Sequence, residues 1–158
     1  MLRYRLTGLP EQMAEAVRTQ LRSPQYGHPA HVEVANGYGP CRVCLRTFQE
    51  GREERILFTH QPFREKNALP APGPVFIHRQ PCSRYDALEF AEELRQLPLA
   101  LDGHGEGGTL VSRERVGDQP IDDVLQRQFM DPRVEYIHVR NADAGCFIAR
   151  VDRVFVCD

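Results

Sequence analysis

The chain is expected to fold as one α+β domain, a mostly antiparallel sheet built from hairpins with two main helices packed on it. Three observations lead there. Short segments of alternating polarity recur between turn-forming stretches such as Gln49–Arg52, Gly103–Gly108 and Ala142–Gly145. Two segments, each opened by a proline, instead carry apolar residues at helical spacing. These strands and helices are interleaved, but hairpin links outnumber long crossovers, which favours antiparallel pairing.

The 158 residues are near the usual size of a single domain and contain no internal repeat, so 1–158 reads as one unit. Hydrophobic residues at 41% and charged residues at 27% are ordinary for a packed core. A net charge of −2, with no long Lys/Arg run, gives no general attraction to nucleic acid. No apolar run approaches the roughly 18 residues of a membrane span, and the N-terminus lacks a signal-peptide core. The five cysteines, an odd number, are therefore expected as reduced thiols in a cytoplasmic protein.

Residues 2–6 read as a strand. Pro10 then opens a helix whose buried stripe is Leu9, Met13, Val17 and Leu21. Residues 23–40 are loop, with a short strand at His31–Val34. Cys41–Phe48 and Arg55–His60 are expected as strands around a turn at Gln49–Arg52, and Gln61-Pro62 ends the second because proline cannot donate to a ladder. After the proline-rich stretch 69–74 comes a strand at Val75–Arg79, then a short helix at 86–96. Leu99–Asp102 and Thr109–Glu114 are strands joined by a glycine-rich turn. The second helix spans 119–130, with Pro120 at its start and Ile121, Val124, Leu125 and Phe129 as its buried face.

The most informative segment is the closing hairpin, 134–142 and 146–155. Ile137 and Val139 alternate with Tyr136, His138 and Arg140; Phe147, Ala149, Val151 and Phe155 alternate with Cys146, Ile148, Arg150 and Asp152. Directly opposed antiparallel residues share a face, so the register must match the apolar sets. A turn with Gly145 left-handed sets Ala142 opposite Cys146, Val139 opposite Ala149 and Ile137 opposite Val151. His138 then faces Arg150, and Tyr136 faces Asp152. Such a face suits an anion-binding or catalytic wall, since guanidinium forks fit carboxylate or phosphate and imidazole exchanges protons near neutrality. A solvated surface ladder is the plainer alternative.

Two louder strings lose weight once placed on the expected elements. Cys41-Arg42-Val43-Cys44 matches C-x-x-C, but on a strand its thiols point to opposite faces, so no metal site is expected there. Gly103–Gly108 fits G-x-G-x-x-G, yet strand rather than helix follows it, so it is a hairpin tip. His60 shares the face of Ile56 and Phe58. His78 and His31 carry no signal of their own.

The chain resembles a small bacterial family known as a domain of unknown function. The resemblance rests on Gly39-Pro40-Cys41-Arg42-x-x-Leu45, His60-Gln61-Pro62, Gly73-Pro74-Val75-Phe76 and, most specifically, the segment from Asp131 to Arg153. It implies that Cys41, Arg42, His60, His138, Asn141, Cys146 and Arg150 belong to the shared pattern. It also implies that the position of Cys44 commonly carries serine or a similar residue, which weakens a dithiol reading of the C-x-x-C. It implies no activity and no cofactor.

The first reading is a site for an anionic small molecule, either binding or enzymatic. His138, Cys41, His60 and Cys146 are its catalytic candidates, and Arg42, Arg150, Asn141 and Tyr136 its ligand-binding candidates. The alternative is a non-enzymatic interaction or structural module whose C-terminal hairpin face meets a protein partner or another copy of the chain. A metal site built from His and Cys is the third.

Overall fold

A computed structural model describes residues 3–37, 39–63 and 72–154. The expected strand end at Phe155, Cys157 and part of the proline-rich stretch lie outside these residues. The fold is α+β, with nine strands in two antiparallel sheets and two α-helices among the described residues.

The chain enters as β1 (Arg3–Thr7) and turns at Gly8-Leu9-Pro10 into α1 (Glu11–Gln20). Ala14 and Val17 form the buried stripe of α1. Leu21, expected to continue that stripe, is the left-handed residue that ends the helix, at φ 51°, and is exposed.

β2 (His31–Val34), β3 (Glu54–His60) and β4 (Gly73–His78) make the smaller sheet, in the order β2-β3-β4. The partner expected for β3, a strand at Cys41–Phe48, does not form. Leu45 takes φ 61°, which no strand accommodates, and its N–H closes a turn onto the Cys41 carbonyl. β3 pairs with β2 and β4 instead.

The larger sheet contains β5 (Asp86–Ala87), β6 (Leu99–His104), β7 (Leu110–Arg115), β8 (Tyr136–Asn141) and β9 (Phe147–Val154). Its order is β5-β1-β9-β8-β6-β7. The helix expected at 86–96 is only a 3-10 segment, Glu92–Gln96, because Asp86 and Ala87 are drawn into pairing with β1. The glycine-rich segment connects β6 to β7, as expected. α2 (Ile121–Phe129) buries Ile121, Val124, Leu125 and Phe129. No helix among the described residues is long and apolar enough to cross a membrane.

Two apolar clusters organise the molecule. One lies between α2 and the face of the large sheet that carries Ile137, Val139 and Val151. The other gathers α1 and the inner face of the small sheet, including Val17, Ile56, Phe58 and Ile77. The opposite face of β8 and β9 is therefore partly roofed by the second cluster. That placement positions the candidate site.

Candidate functional site

The hairpin register follows the sequence argument through its central pairs: Tyr136 with Asp152, Ile137 with Val151, His138 with Arg150 and Val139 with Ala149. Nearer the turn it departs. Asn141 rather than Ala142 pairs with Cys146, so the loop is one residue longer than expected. Gly145 is left-handed at φ 81°, as the turn requires. Asn141 caps this loop, its Oδ1 accepting hydrogen bonds from the Asp143 and Ala144 N–H groups.

The extra residue is absorbed by a bulge, since Arg140 pairs with Phe147 while Val139 pairs with Ala149. Ile148 is the unpaired residue and is buried in the α2 cluster. Phe147, expected on the apolar face with Ala149, is turned to the other side. There its ring lies 4.9 Å from that of His138 and 5.8 Å from that of His60.

This face is enclosed rather than flat and wet. His138 is 1% exposed and His60 4%. His138 packs among Phe63, His104 and Tyr136 at ring distances of 4.7, 4.9 and 5.1 Å. Beside it opens a pocket of about 280 Å³ where the end of β3, the β1–α1 turn and β9 meet, lined among others by His60, Phe63, Arg84, His138, Phe147 and Arg150. Among the described residues, no Asp or Glu lines it.

Among the described residues, Nδ1 of His60 and both ring nitrogens of His138 have no hydrogen-bond partner. Burial first, then the nearby Arg42 charge, lowers the His60 pKa to about 4. Burial first, then His104 and Arg150, lowers that of His138 to about 3. Both imidazoles are neutral at pH 7, so each presents one N–H donor and one lone pair.

The other candidates from the sequence divide. Arg150 stands at the pocket rim, its guanidinium 4.0 Å over the Tyr136 ring and its Nε 3.0 Å from Asp152 Oδ1. Tyr136 also stacks on His104 at 5.4 Å. Arg42 is buried behind the pocket, where Nε donates to the Phe147 carbonyl at 2.9 Å and Nη1 to the Pro40 carbonyl at 2.7 Å. Arg140 is held by Asp102, which is fully buried and also binds Arg113. Burial pushes the Asp102 carboxyl up, but the two arginines outweigh it and hold its pKa below the ordinary value. Cys146 flanks the turn as a free thiol and does not line the pocket. Of Cys41, His60, His138, Cys146 and Arg150, only the two histidines and Arg150 line it together.

Cys41 lies in a second constellation. With Arg42–Cys44 in a tight turn and Leu45 left-handed, both thiols of the C-x-x-C point the same way, which overturns the basis for expecting no metal site. Pro40 bridges Thr47 at the base, and the Cys41 N–H donates to the Arg46 carbonyl. Gly8 leaves room for this turn, because a Cβ there would stand 2.1 Å from the Val43 carbonyl oxygen.

The donor atoms of Cys41, Cys44, His78 and Cys82 all lie within 4.8 Å of one another. The Cys41 and Cys82 sulfurs are 3.8 Å apart, and Cys44 Sγ is 3.4 Å from His78 Nδ1. Hydrogen bonds from Cys44, then Cys82, drive the Cys41 pKa far down, while the shared proton pushes Cys44 up. Hydrogen bonding to Cys41 and Cys82 raises His78 to about 10. On the outer side is a groove of about 870 Å³ lined by both signs of charge, including Arg46, Glu53, Arg84 and Glu93.

Sequence reasoning missed His78, Cys82, His104 and Phe63. The spacing of His78 and Cys82 could have flagged them had the C-x-x-C been placed in a turn. His104 ends β6 inside what read only as a glycine-rich tip.

The architecture and its two constellations define an α+β protein with a buried-histidine pocket beside a Cys/His cluster. The chain belongs to the family described as protein of unknown function (DUF1203), whose model matches residues 38–153, a span that includes His60, His138, Arg150 and the four residues of the Cys/His cluster. Comparison with the curated proteins and with the solved structures found no match.

Proposed function

We propose that this protein binds a small anionic metabolite in the pocket beside His138. The observation that carries the reading is, among the described residues, a 1%-exposed imidazole with both nitrogens unpartnered beside a cavity with arginines and no acid in its lining. A buried polar group without a partner costs about 1–3 kcal/mol, so a ligand that supplies the partner recovers that cost. Arg150 and Arg84 offer the charge for a carboxylate or phosphate, and neutral His60 and His138 accept from or donate to its hydroxyl groups. At about 280 Å³ the pocket suits a small metabolite rather than a dinucleotide.

With pKa values near 4 and 3, the histidines are weak bases at pH 7, which favours binding over proton transfer in the free protein. Cys41 and Cys146, absent from the lining, take no part. Free thiols at the four described cysteines fit a cytoplasmic protein. The alternative of association through the polar hairpin face is disfavoured because the centre of that face is covered, with His138 1% exposed beneath Phe63 and Phe147.

A thermal-shift panel of inorganic phosphate, acetate, succinate and citrate tests the reading. At least one probe should raise the melting midpoint saturably, and Arg150→Ala should reduce the effect. A panel without any saturable shift contradicts it.

A further inference from the structure

We propose that Cys41, Cys44, His78 and Cys82 form a structural zinc site, closed by four protein ligands. Distances support a tetrahedron. Zinc bound at about 2.3 Å from each sulfur sets sulfur–sulfur edges of about 3.8 Å and slightly shorter sulfur–nitrogen edges. The Cys41–Cys82 separation is 3.8 Å and the Cys44 Sγ–His78 Nδ1 separation 3.4 Å. The thiols of Cys41, Cys44 and Cys82 are free, and at 3.8 Å the Cys41 and Cys82 sulfurs are not bonded to each other, since a disulfide bond is about 2.05 Å.

A second, independent feature lies outside the four ligands. His78 Nε2 is 2.8 Å from Glu53 Oε2. That contact holds a proton on Nε2, so a metal displaces the proton on Nδ1, the nitrogen that faces the cluster, as in a metal-bound histidine.

The sulfurs are also met by donors suited to thiolates. The His78 N–H lies 3.3 Å from Cys41 Sγ, and Arg18 Nη2 lies 3.4 Å from Cys82 Sγ. Three thiolates and a neutral imidazole around Zn²⁺ leave one negative charge, and the Arg18 guanidinium offsets it. The remaining thiol protons and the Nδ1 proton of His78 are released to solvent as the metal binds.

The ion would tie together three pieces of chain that regular secondary structure holds poorly: the Cys41–Leu45 turn, the end of β4, and the irregular segment that carries Cys82. Four protein ligands leave no open position for a substrate, which makes the role structural.

Metal analysis of the full chain, expressed with zinc and purified without an affinity tag, tests the site. About one zinc per chain is expected, lost in Cys82→Ser and kept in Cys146→Ser. Because Cys82→Ser can fail to fold, wild-type protein refolded with Co²⁺ gives a second readout, the intense absorption of tetrahedral thiolate cobalt. Wild-type protein that holds neither zinc nor tetrahedral cobalt overturns the proposal, and iron in place of zinc overturns the choice of metal.

Discussion

His138 and Arg150 oppose each other across the β8–β9 ladder, yet the arginine turns to Tyr136 and Asp152 and leaves the imidazole nitrogens unpartnered among the described residues. The bulge at Ile148 completes the setting by carrying the Phe147 ring over the same imidazole. A buried polar group kept in this state costs stability, and the cost is easiest to understand as part of a binding site.

His138→Leu removes the two unpartnered nitrogens and keeps an apolar side chain among the aromatic rings. The ligand-free variant is expected to be more stable by about 1 kcal/mol. Urea unfolding checks this, and the same variant should lose the ligand-dependent thermal shift.

Acid should destabilise the wild type more than His138→Leu. His60 and His138 titrate near 4 and 3 in the folded protein, against 6.5 for an ordinary histidine. Between these limits the unfolded chain binds protons that the native state refuses, so stability is highest above pH 6.5 and falls as pH drops toward the folded values. Each histidine contributes on the order of 3 kcal/mol to that fall. Stability curves from pH 7 to 4 should be visibly flatter for His138→Leu.

Asp102 is fully buried between Arg113 and Arg140. Asp102→Ala leaves Arg140 largely buried without its carboxylate and is expected to cost about 3–5 kcal/mol in chemical denaturation. Arg113→Ala should cost much less, about 1 kcal/mol, because that side chain is 54% exposed and water replaces the contact.

Gly8→Ala places a methyl group 2.1 Å from the Val43 carbonyl oxygen, with the Arg42 carbonyl oxygen at 2.7 Å. Backbone must move on both sides. A loss of about 2–3 kcal/mol is expected, together with weaker zinc retention because the displaced turn carries Cys41 and Cys44. Thermal melting and metal analysis of one preparation would read both.

Much of this fold is legible in the sequence because it depends on local pattern. The buried face of α2 and the central pairs of the β8–β9 hairpin follow from periodicity alone, since one face of each must be apolar. The Cys41–Phe48 segment misleads for the same reason. Its alternation imitates a strand, while its turn depends on a left-handed Leu45 and on Gly8 from a distant element, neither of which has a local signature. The pocket is similarly divided. His138 and Arg150 could be paired by register, but the bulge that moves Phe147 is set by packing of Ile148 under α2. His104, Phe63 and the His78–Cys82 pair become neighbours of the sites only through tertiary contacts.

The most direct measurement is a ring-nitrogen NMR titration of the full protein with phosphate or citrate, following all six histidines. Binding in the pocket predicts saturable shifts of the His60 and His138 imidazole signals, with the exposed His28 and His31 unchanged. Signals of His60 and His138 that stay fixed, or move no more than those of His28 and His31, would contradict it.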